Sequence, residues 1–216
     1  MIFKDRTEAG RLLAEKLTGR IVKDGVVLAI PRGGVVVGAE LARSLGLRLD
    51  LIIPRKIGSP QNPEVAIGAV AQDGAPILDR RLIELLGVTG AELGEIIAYE
   101  LGEIKRRMLL YRGSSDYNHG NYNGKQLVVV DDGIATGYTM LAALRSASGL
   151  RPRELILAVP VAPPETLEIL KKEVDHVACL LTPANFYAVG QFYQRFDQTE
   201  DEEVVKLLKE LKRIEE

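Results

Sequence analysis

Short apolar segments alternate along most of the chain with segments whose apolar residues recur at helical spacing. The apolar segments are residues 26–30, 48–53, 126–130, 153–159 and 175–181. The segments with helical spacing that follow three of them are residues 34–45, 137–148 and 164–172. Strands made almost entirely of Val, Ile and Leu and joined by helices are typical of a parallel sheet covered on both faces. The pattern therefore predicts an α/β fold with a central, mostly parallel sheet flanked by helices.

The middle of the chain departs from this alternation. Residues 65–71 and 75–78 predict a hairpin around Asp73-Gly74, a dipeptide that tolerates the backbone of a tight turn. Residues 80–112 predict a long helical stretch, and the polar segment 113–124 predicts a loop, so that about 80–124 forms a helical insertion. The run Lys105-Arg106-Arg107 in this stretch predicts a solvated face, with phosphate binding as the alternative.

The C-terminal region, about 182–216, predicts a small annex. Residues 182–196 hold five of the eleven Phe and Tyr residues of the chain. These rings either stack on a planar ligand, as a hood over the site, or form a satellite core that holds the last helix down. Residues 199–216 predict that helix, with Thr199 and Glu202 at capping-box spacing and one apolar stripe. The stripe either packs on the domain or forms a contact between two copies, so a homo-oligomer stays open.

Composition narrows the class of protein. The 216 residues are 46% hydrophobic and 27% charged, which is typical of a globular chain and predicts one domain over residues 1–216. The balance of 28 basic and 30 acidic residues argues against a nucleic-acid partner. The chain has one cysteine, Cys179, so it can form no intrachain disulfide. Its two histidines do not form the HExxH motif of zinc hydrolases. No apolar run suits a membrane span or a signal peptide, so we expect a cytoplasmic protein without a membrane partner.

The candidate chemistry is concentrated in the segment LVVVDDGIATGYT, residues 127–139. Asp131 and Asp132 end a buried strand, and a loop of small residues then leads into a helix. Converging backbone N–H groups and a helix N-terminus suit a phosphate. The two carboxylates would repel that phosphate unless the ligand also presents hydroxyls or a divalent metal there, as ribose 5-phosphate does. The alternative is that the acids only cap the next helix.

Two other strand ends carry residues compatible with phosphate. Arg32, Gly33 and Gly34 follow the first strand, where glycines allow close backbone approach and arginine binds phosphate oxygens in pairs. Arg55 and Lys56 follow the second strand, in a segment whose Gly58, Pro60 and Pro63 predict a loop rather than a helix. The alternatives are a simple glycine turn and two surface cations. Ligands of such folds bind outside the carboxyl ends of the strands, where all three segments lie.

The order of an apolar run, two acids, a small-residue loop and Thr-Gly-x-Thr resembles the signature with which type I phosphoribosyltransferases bind 5-phosphoribosyl 1-pyrophosphate (PRPP). The resemblance covers roughly residues 20–182. It implies transfer of the 5-phosphoribosyl group from PRPP to a nitrogen acceptor, expected to be a nucleobase, with release of pyrophosphate. It also implies Mg²⁺, held mainly through PRPP, with Asp131 and Asp132 as candidate protein ligands.

The resemblance assigns roles to the three strand ends. The catalytic candidates are Asp131, Asp132, Arg55 and Lys56. The 5-phosphate loop comprises Gly133, Ile134, Ala135, Thr136, Gly137 and Thr139. The pyrophosphate loop comprises Arg32, Gly33 and Gly34. The alternative function is a non-catalytic regulator that binds PRPP or a nucleotide on the same fold. A nicotinamide-dependent oxidoreductase is disfavoured because residues 32–38 do not match GxGxxG.

Overall fold

The computed structural model describes residues 2–114 and 122–215. The helices are α1 (Arg6–Leu17), α2 (Gly33–Leu45), α3 (Arg80–Leu85), α4 (Gly90–Arg112), α5 (Tyr138–Ser148), α6 (Pro164–Leu170) and α7 (Asp201–Glu215). The strands are β1 (Val26–Ala29), β2 (Arg48–Leu51), β3 (Arg55–Gly58), β4 (Ala66–Val70), β5 (Pro76–Leu78), β6 (Gln126–Val130), β7 (Glu154–Val161) and β8 (His176–Leu181). Most of the predicted loop at 113–124 lies outside the described residues.

Five parallel strands form the central sheet, in the order β2-β1-β6-β7-β8. Each lies within two residues of a predicted apolar segment, and β1 and β6 are buried along their whole length. The predicted α/β class is confirmed. The chain runs outward from β1 to β2 on one side and from β6 to β8 on the other. The order therefore reverses between β1 and β6, and a crevice opens at their carboxyl ends.

A second sheet of three antiparallel strands, in the order β3-β4-β5, lies beside the first. The predicted hairpin is β4-β5, and Gly74 in its turn has φ +81°. The loop predicted at Arg55 and Lys56 is wrong at these two residues, because they belong to β3 and pair with Val70 and Ala69. Burial of Ile57 in the core holds β3 against β4. The loop itself is the connection from β3 to β4, residues 59–65.

The predicted helical stretch 80–112 is two helices rather than one. Gly87, with φ +63°, lies between them, where few other residues fit. Thr89 then starts α4 with a capping box to Glu92, and Gly113 ends the helix with φ +75°. One side of α4 buries Ile104, Met108 and Tyr111. This 23-residue helix thus lies over β3 and against α7.

The C-terminal region packs on the rest of the chain. α7 begins at Asp201, two residues later than predicted, and buries Val204, Leu208 and Leu211 in the main core, as expected for packing on the domain. Phe192 and Tyr193 form a separate small cluster with Phe3, the satellite core that was one of the two predicted alternatives. Among the described residues, no helix is both long and apolar enough to cross a membrane.

Candidate functional site

The predicted strand ends meet at one cavity. Because Ala29 of β1 lies beside Val130 of β6, the segments that follow these strands leave the sheet side by side. A cavity of about 620 Å³ opens there. From the predicted segments it is lined by Pro31, Arg55, Lys56, Asp131 and Thr139. The fold therefore brings Arg55, Lys56, Asp131 and Thr139 to one cavity. The remaining predicted site residues, Arg32, Gly33, Gly34, Asp132 and 133–137, do not line it.

Two glycines let the first turn of α2 approach the acidic pair. A Cβ atom on Gly33 would lie 2.0 Å from Oδ2 of Asp132, and one on Gly34 would lie 2.8 Å from Oδ1 of Asp131. Real Cβ atoms do not come so close to carboxylate oxygens. The glycines after β1 are therefore required by the packing of α2 against Asp131 and Asp132. The peptide bond between Pro31 and Arg32, just before them, is cis.

Asp131 is the member of the pair that lines the cavity. Its Oδ1 accepts a hydrogen bond of 2.8 Å from the backbone N–H of Asp132. Burial, together with the neighbouring Asp132 charge, raises the pKa of Asp131 well above its usual range. A carboxylate held in this state gains from any ligand that brings hydroxyl donors or a cation to it.

Asp132 is tied to both ends of the chain. Its Oδ2 lies 2.7 Å from Nε of Arg6, in α1, and the Tyr193 hydroxyl donates a 2.6 Å hydrogen bond to its backbone carbonyl. Arg6 also lies 3.9 Å from the centre of the Phe196 ring. Burial raises the pKa of Asp132, and the Arg6 guanidinium opposes that rise. Arg6 was not predicted, since nothing in the sequence links it to a residue 126 positions away.

The loop after the acidic pair, residues 133–137, has a buried anchor and an open tip. Ile134 is buried and its N–H donates to the Val161 carbonyl at 2.9 Å, whereas Ala135 and Thr136 are exposed. Gly137, with φ +84°, starts α5 without a side-chain cap. The first-turn N–H groups of α5 therefore have no capping side chain. Thr139, in this first turn, lines the cavity.

The predicted cations near the cavity are matched by carboxylates. Nε of Arg55 lies 2.6 Å from Glu100, and Nζ of Lys56 lies 3.6 Å from Glu64. Arg32 reaches the other way, toward the start of α7, with its Nη1 3.7 Å from both Glu200 and Asp201. The positive charge that the sequence predicts for a pyrophosphate is present, but it is partly compensated.

α4 adds a wall that sequence reasoning missed. Ile96, Tyr99, Glu100 and Arg107 all line the cavity. The prediction of a solvated face at 105–107 is wrong for Arg107, because its Nε is buried. The helical phase could have placed these residues on one face, but nothing in the sequence showed that this face covers a cavity.

A metal could be held here only with help from a ligand. Within residues 2–114 and 122–215, no three His, Cys, Asp or Glu side chains are grouped as a metal site. Asp131 nevertheless offers one carboxylate to the cavity, and Mg²⁺ is commonly held by one or two carboxylates plus substrate phosphates. The residues present therefore fit a Mg²⁺ that arrives with a phosphorylated substrate.

Comparison with known sequences agrees with the geometry. The family model "Phosphoribosyl transferase domain" matches residues 6–195. A protein of Mycobacterium tuberculosis strain H37Rv, named provisionally as a phosphoribosyl transferase, is 41% identical over 207 residues. The match covers 96% of this chain and 46% of that protein, so the chain spans about half the length of this curated relative.

Solved structures show the same fold. The protein TT1426 from Thermus thermophilus is 40% identical, with a TM-score of 0.81 over 98% of this chain and 99% of that one. A purine phosphoribosyltransferase from Pyrococcus horikoshii shares the fold, with a TM-score of 0.50 at 18% identity over 90% of this chain and 93% of that one. On the strength of the family match over most of its length, the chain belongs to the phosphoribosyl transferase family.

Proposed function

We propose that this protein transfers the 5-phosphoribosyl group of PRPP to a nitrogen acceptor and releases pyrophosphate. The observation that carries the proposal is the meeting of three elements at one cavity. These are the acidic residue Asp131, the uncapped start of α5 and the cations Arg55 and Lys56. PRPP presents hydroxyls, a 5-phosphate and a diphosphate, one group for each element. Membership of the family supports PRPP-dependent transfer in general.

The 5-phosphate binds at residues 133–139 in this proposal. Small residues there let the backbone approach an anion, and the N-terminus of α5 favours negative charge. Thr136 and Thr139 supply hydroxyl donors; Thr136 is exposed and Thr139 faces the cavity. With the phosphate bound there, the ribose ring would lie over Asp131.

Asp131 and Asp132 stabilise the ribose in this proposal. Asp131 accepts hydrogen bonds from the ribose hydroxyls and faces the positive charge that develops at C1′ in an oxocarbenium-like transition state. Asp132, fixed by Arg6, holds the backbone at the strand end in place and donates its N–H to Asp131. The protein contributes position and charge, and the reaction needs no covalent nucleophile.

The leaving pyrophosphate lies between residues 31–34 and β3 in this proposal. Mg²⁺, when bound, neutralises part of the charge on the pyrophosphate. Arg55 and Lys56 contribute further positive charge from β3. Gly33 and Gly34, which have no side chains, let the N-terminus of α2 approach the pyrophosphate. The loop 59–65 between β3 and β4 is the segment next to this position whose movement would exclude water.

The acceptor site lies under α4 in this proposal rather than at the aromatic annex. Phe192 and Tyr193 are buried in the cluster with Phe3, and Tyr187 is 90% exposed and does not line the cavity. Ile96 and Tyr99 do line it, and Tyr99 is 67% exposed. An exposed ring beside an apolar side chain suits a planar base, so we expect a nucleobase as the acceptor.

A regulator that binds PRPP without turnover is the second candidate. It is favoured by the carboxylates that compensate Arg55 and Lys56, since Glu100 and Glu64 weaken their attraction for pyrophosphate. The test is release of pyrophosphate from PRPP and Mg²⁺ against a panel of nucleobases. Release that depends on one base supports the transferase and names its acceptor. Saturable PRPP binding with no release for any base would support the regulator instead.

A further inference from the structure

One face of α4 places an apolar residue, two glutamates and an arginine in a row. Ile96, Glu100, Glu103 and Arg107 recur at steps of four, three and four residues, so they share one side of the helix. Of these, Ile96, Glu100 and Arg107 line the cavity. The adjoining side, with Ile104, Met108 and Tyr111, is buried in the core. Arg107 therefore lies where the core ends and the cavity begins.

Arg107 is a cavity arginine that forms no ion pair with a carboxylate of the described residues, although its charge contributes to the lowered pKa of Glu103, which the neighbouring Arg106 lowers most. Its Nε is buried and, in the part of the chain that the structure describes, has no hydrogen-bond partner. No ion pair joins it to a carboxylate of those residues, whereas the preceding residue, Arg106, lies 3.1 Å from Glu103. Arg55 and Lys56 have carboxylate partners of their own. A buried guanidinium N–H without a partner is costly, and an anionic ligand would satisfy it.

The position of Arg107 indicates which anionic ligand it would bind. The same cavity is lined by Ile30 and Pro31, the residues just before the predicted pyrophosphate loop. Tyr111, one helical turn after Arg107 on α4, donates a hydrogen bond to Oδ1 of Asp201, and the same oxygen lies 3.7 Å from Nη1 of Arg32. Arg32 itself is engaged by Glu200 and Asp201. A diphosphate entering between β1 and β3 would therefore meet Arg107 as its unpaired cation.

We propose that Arg107 binds the diphosphate oxygens of the phosphoribosyl donor, so that α4 supplies part of the pyrophosphate subsite. The inference rests on the proposed function, because it takes the donor to be PRPP. A diphosphate carries several negative charges, and a guanidinium binds such oxygens through two parallel hydrogen bonds. Arg32, by contrast, pairs with Glu200 and Asp201 and does not line the cavity.

The test compares Arg107→Gln with Arg106→Gln, a change of the same kind one residue earlier on the exposed side. Binding of inorganic pyrophosphate with Mg²⁺ and of ribose 5-phosphate is measured by calorimetry for the wild type and both variants. We expect Arg107→Gln to weaken pyrophosphate binding about tenfold or more, as is typical of a lost charge-assisted hydrogen bond. Its ribose 5-phosphate affinity should stay within about twofold of wild type, and Arg106→Gln should match wild type for both ligands.

Several results would overturn the inference. Unchanged pyrophosphate affinity in Arg107→Gln would do so, as would equal losses for both ligands or the same loss in Arg106→Gln. If Arg107→Gln bound pyrophosphate normally but no longer bound a nucleobase that the wild type binds, Arg107 would belong to the acceptor subsite instead. A wild type that binds neither ligand would overturn the proposed function as well. Normal binding of both ligands by wild type and variant would overturn the role of Arg107 alone.

Discussion

Arg6 and Asp132 form an ion pair of 2.7 Å between the first turn of α1 and the end of β6, 126 residues further along the chain. Their side chains are only 12% and 15% exposed. The pair fixes the strand end that carries both acids. It also joins the two ends of the chain, because Nη1 of Arg6 donates to the Asp197 carbonyl at 2.7 Å.

Arg6→Gln should destabilise the fold strongly. Removing one partner of a buried ion pair leaves the other charge uncompensated, at a typical cost of about 3–5 kcal/mol. The measurement is the free energy of unfolding in urea at neutral pH. Arg195→Gln is the control, because Arg195 is 61% exposed and pairs with Asp5 at the surface, so its loss should cost about 1 kcal/mol or less. Equal effects of the two changes would contradict the structural role given to Arg6.

Gly33→Ala should disturb the site, and Gly102→Ala should not. The new methyl group on residue 33 would overlap Oδ2 of Asp132, and overpacking of this kind costs about 1–3 kcal/mol. Gly102 lies in α4 with no atom within 4 Å of its Cβ position, so alanine there should stabilise the helix by up to about 1 kcal/mol. Thermal unfolding and PRPP binding measure both effects. Normal PRPP binding by Gly33→Ala would show that the close approach is not needed.

Asp131→Asn should stabilise the fold near neutral pH while weakening PRPP binding. Burial raises the folded-state pKa of Asp131, and unfolding returns it to about 3.9, so the wild type loses stability as pH rises from about 4 through the folded-state pKa. Asparagine removes this loss. The variant should therefore melt higher than the wild type at pH 7, and the difference should vanish toward pH 4. A variant that melts lower at pH 7 would contradict the unfavourable burial of this charge.

Lys56→Ala should reduce turnover more than it reduces binding of ribose 5-phosphate. Lys56 lies on β3 and lines the cavity beside Arg55, so in the proposed function its charge serves the leaving group rather than the 5-phosphate. Initial rates and calorimetry with ribose 5-phosphate separate the two effects, with the exposed Lys172→Ala as control. Parallel losses in rate and in ribose 5-phosphate affinity would move Lys56 to another part of the site.

The central sheet could be predicted from the sequence because its strands are buried on both faces. β1 and β6 are runs of apolar residues that leave little choice of structure. β3 could not be recognised in the same way, since Arg55 and Lys56 are half-buried and only Ile57 enters the core. Its pairing with β4 is a tertiary effect, which overrides local preference in short strands.

The part of the candidate site whose residues are adjacent in sequence could be predicted. The part that comes from distant helices could not. Asp131, Asp132 and the loop after them lie within nine residues, so their order alone indicated a sugar phosphate. Arg6 and Arg107 come from helices at distant positions, and each resembles an ordinary surface arginine in the sequence. The ion pair of Arg6 and the role proposed for Arg107 depend on which face of each helix packs inward, and that depends on the whole fold.

Binding of PRPP in the presence of Mg²⁺, followed by thermal unfolding, tests the central claim most directly. A ligand that binds only the folded state at a hundred times its Kd adds about 2.7 kcal/mol of stability. We predict a clear, saturable rise in Tm with PRPP that is lost in Asp131→Asn. An unchanged Tm at millimolar PRPP, or the same rise in wild type and Asp131→Asn, would contradict the account.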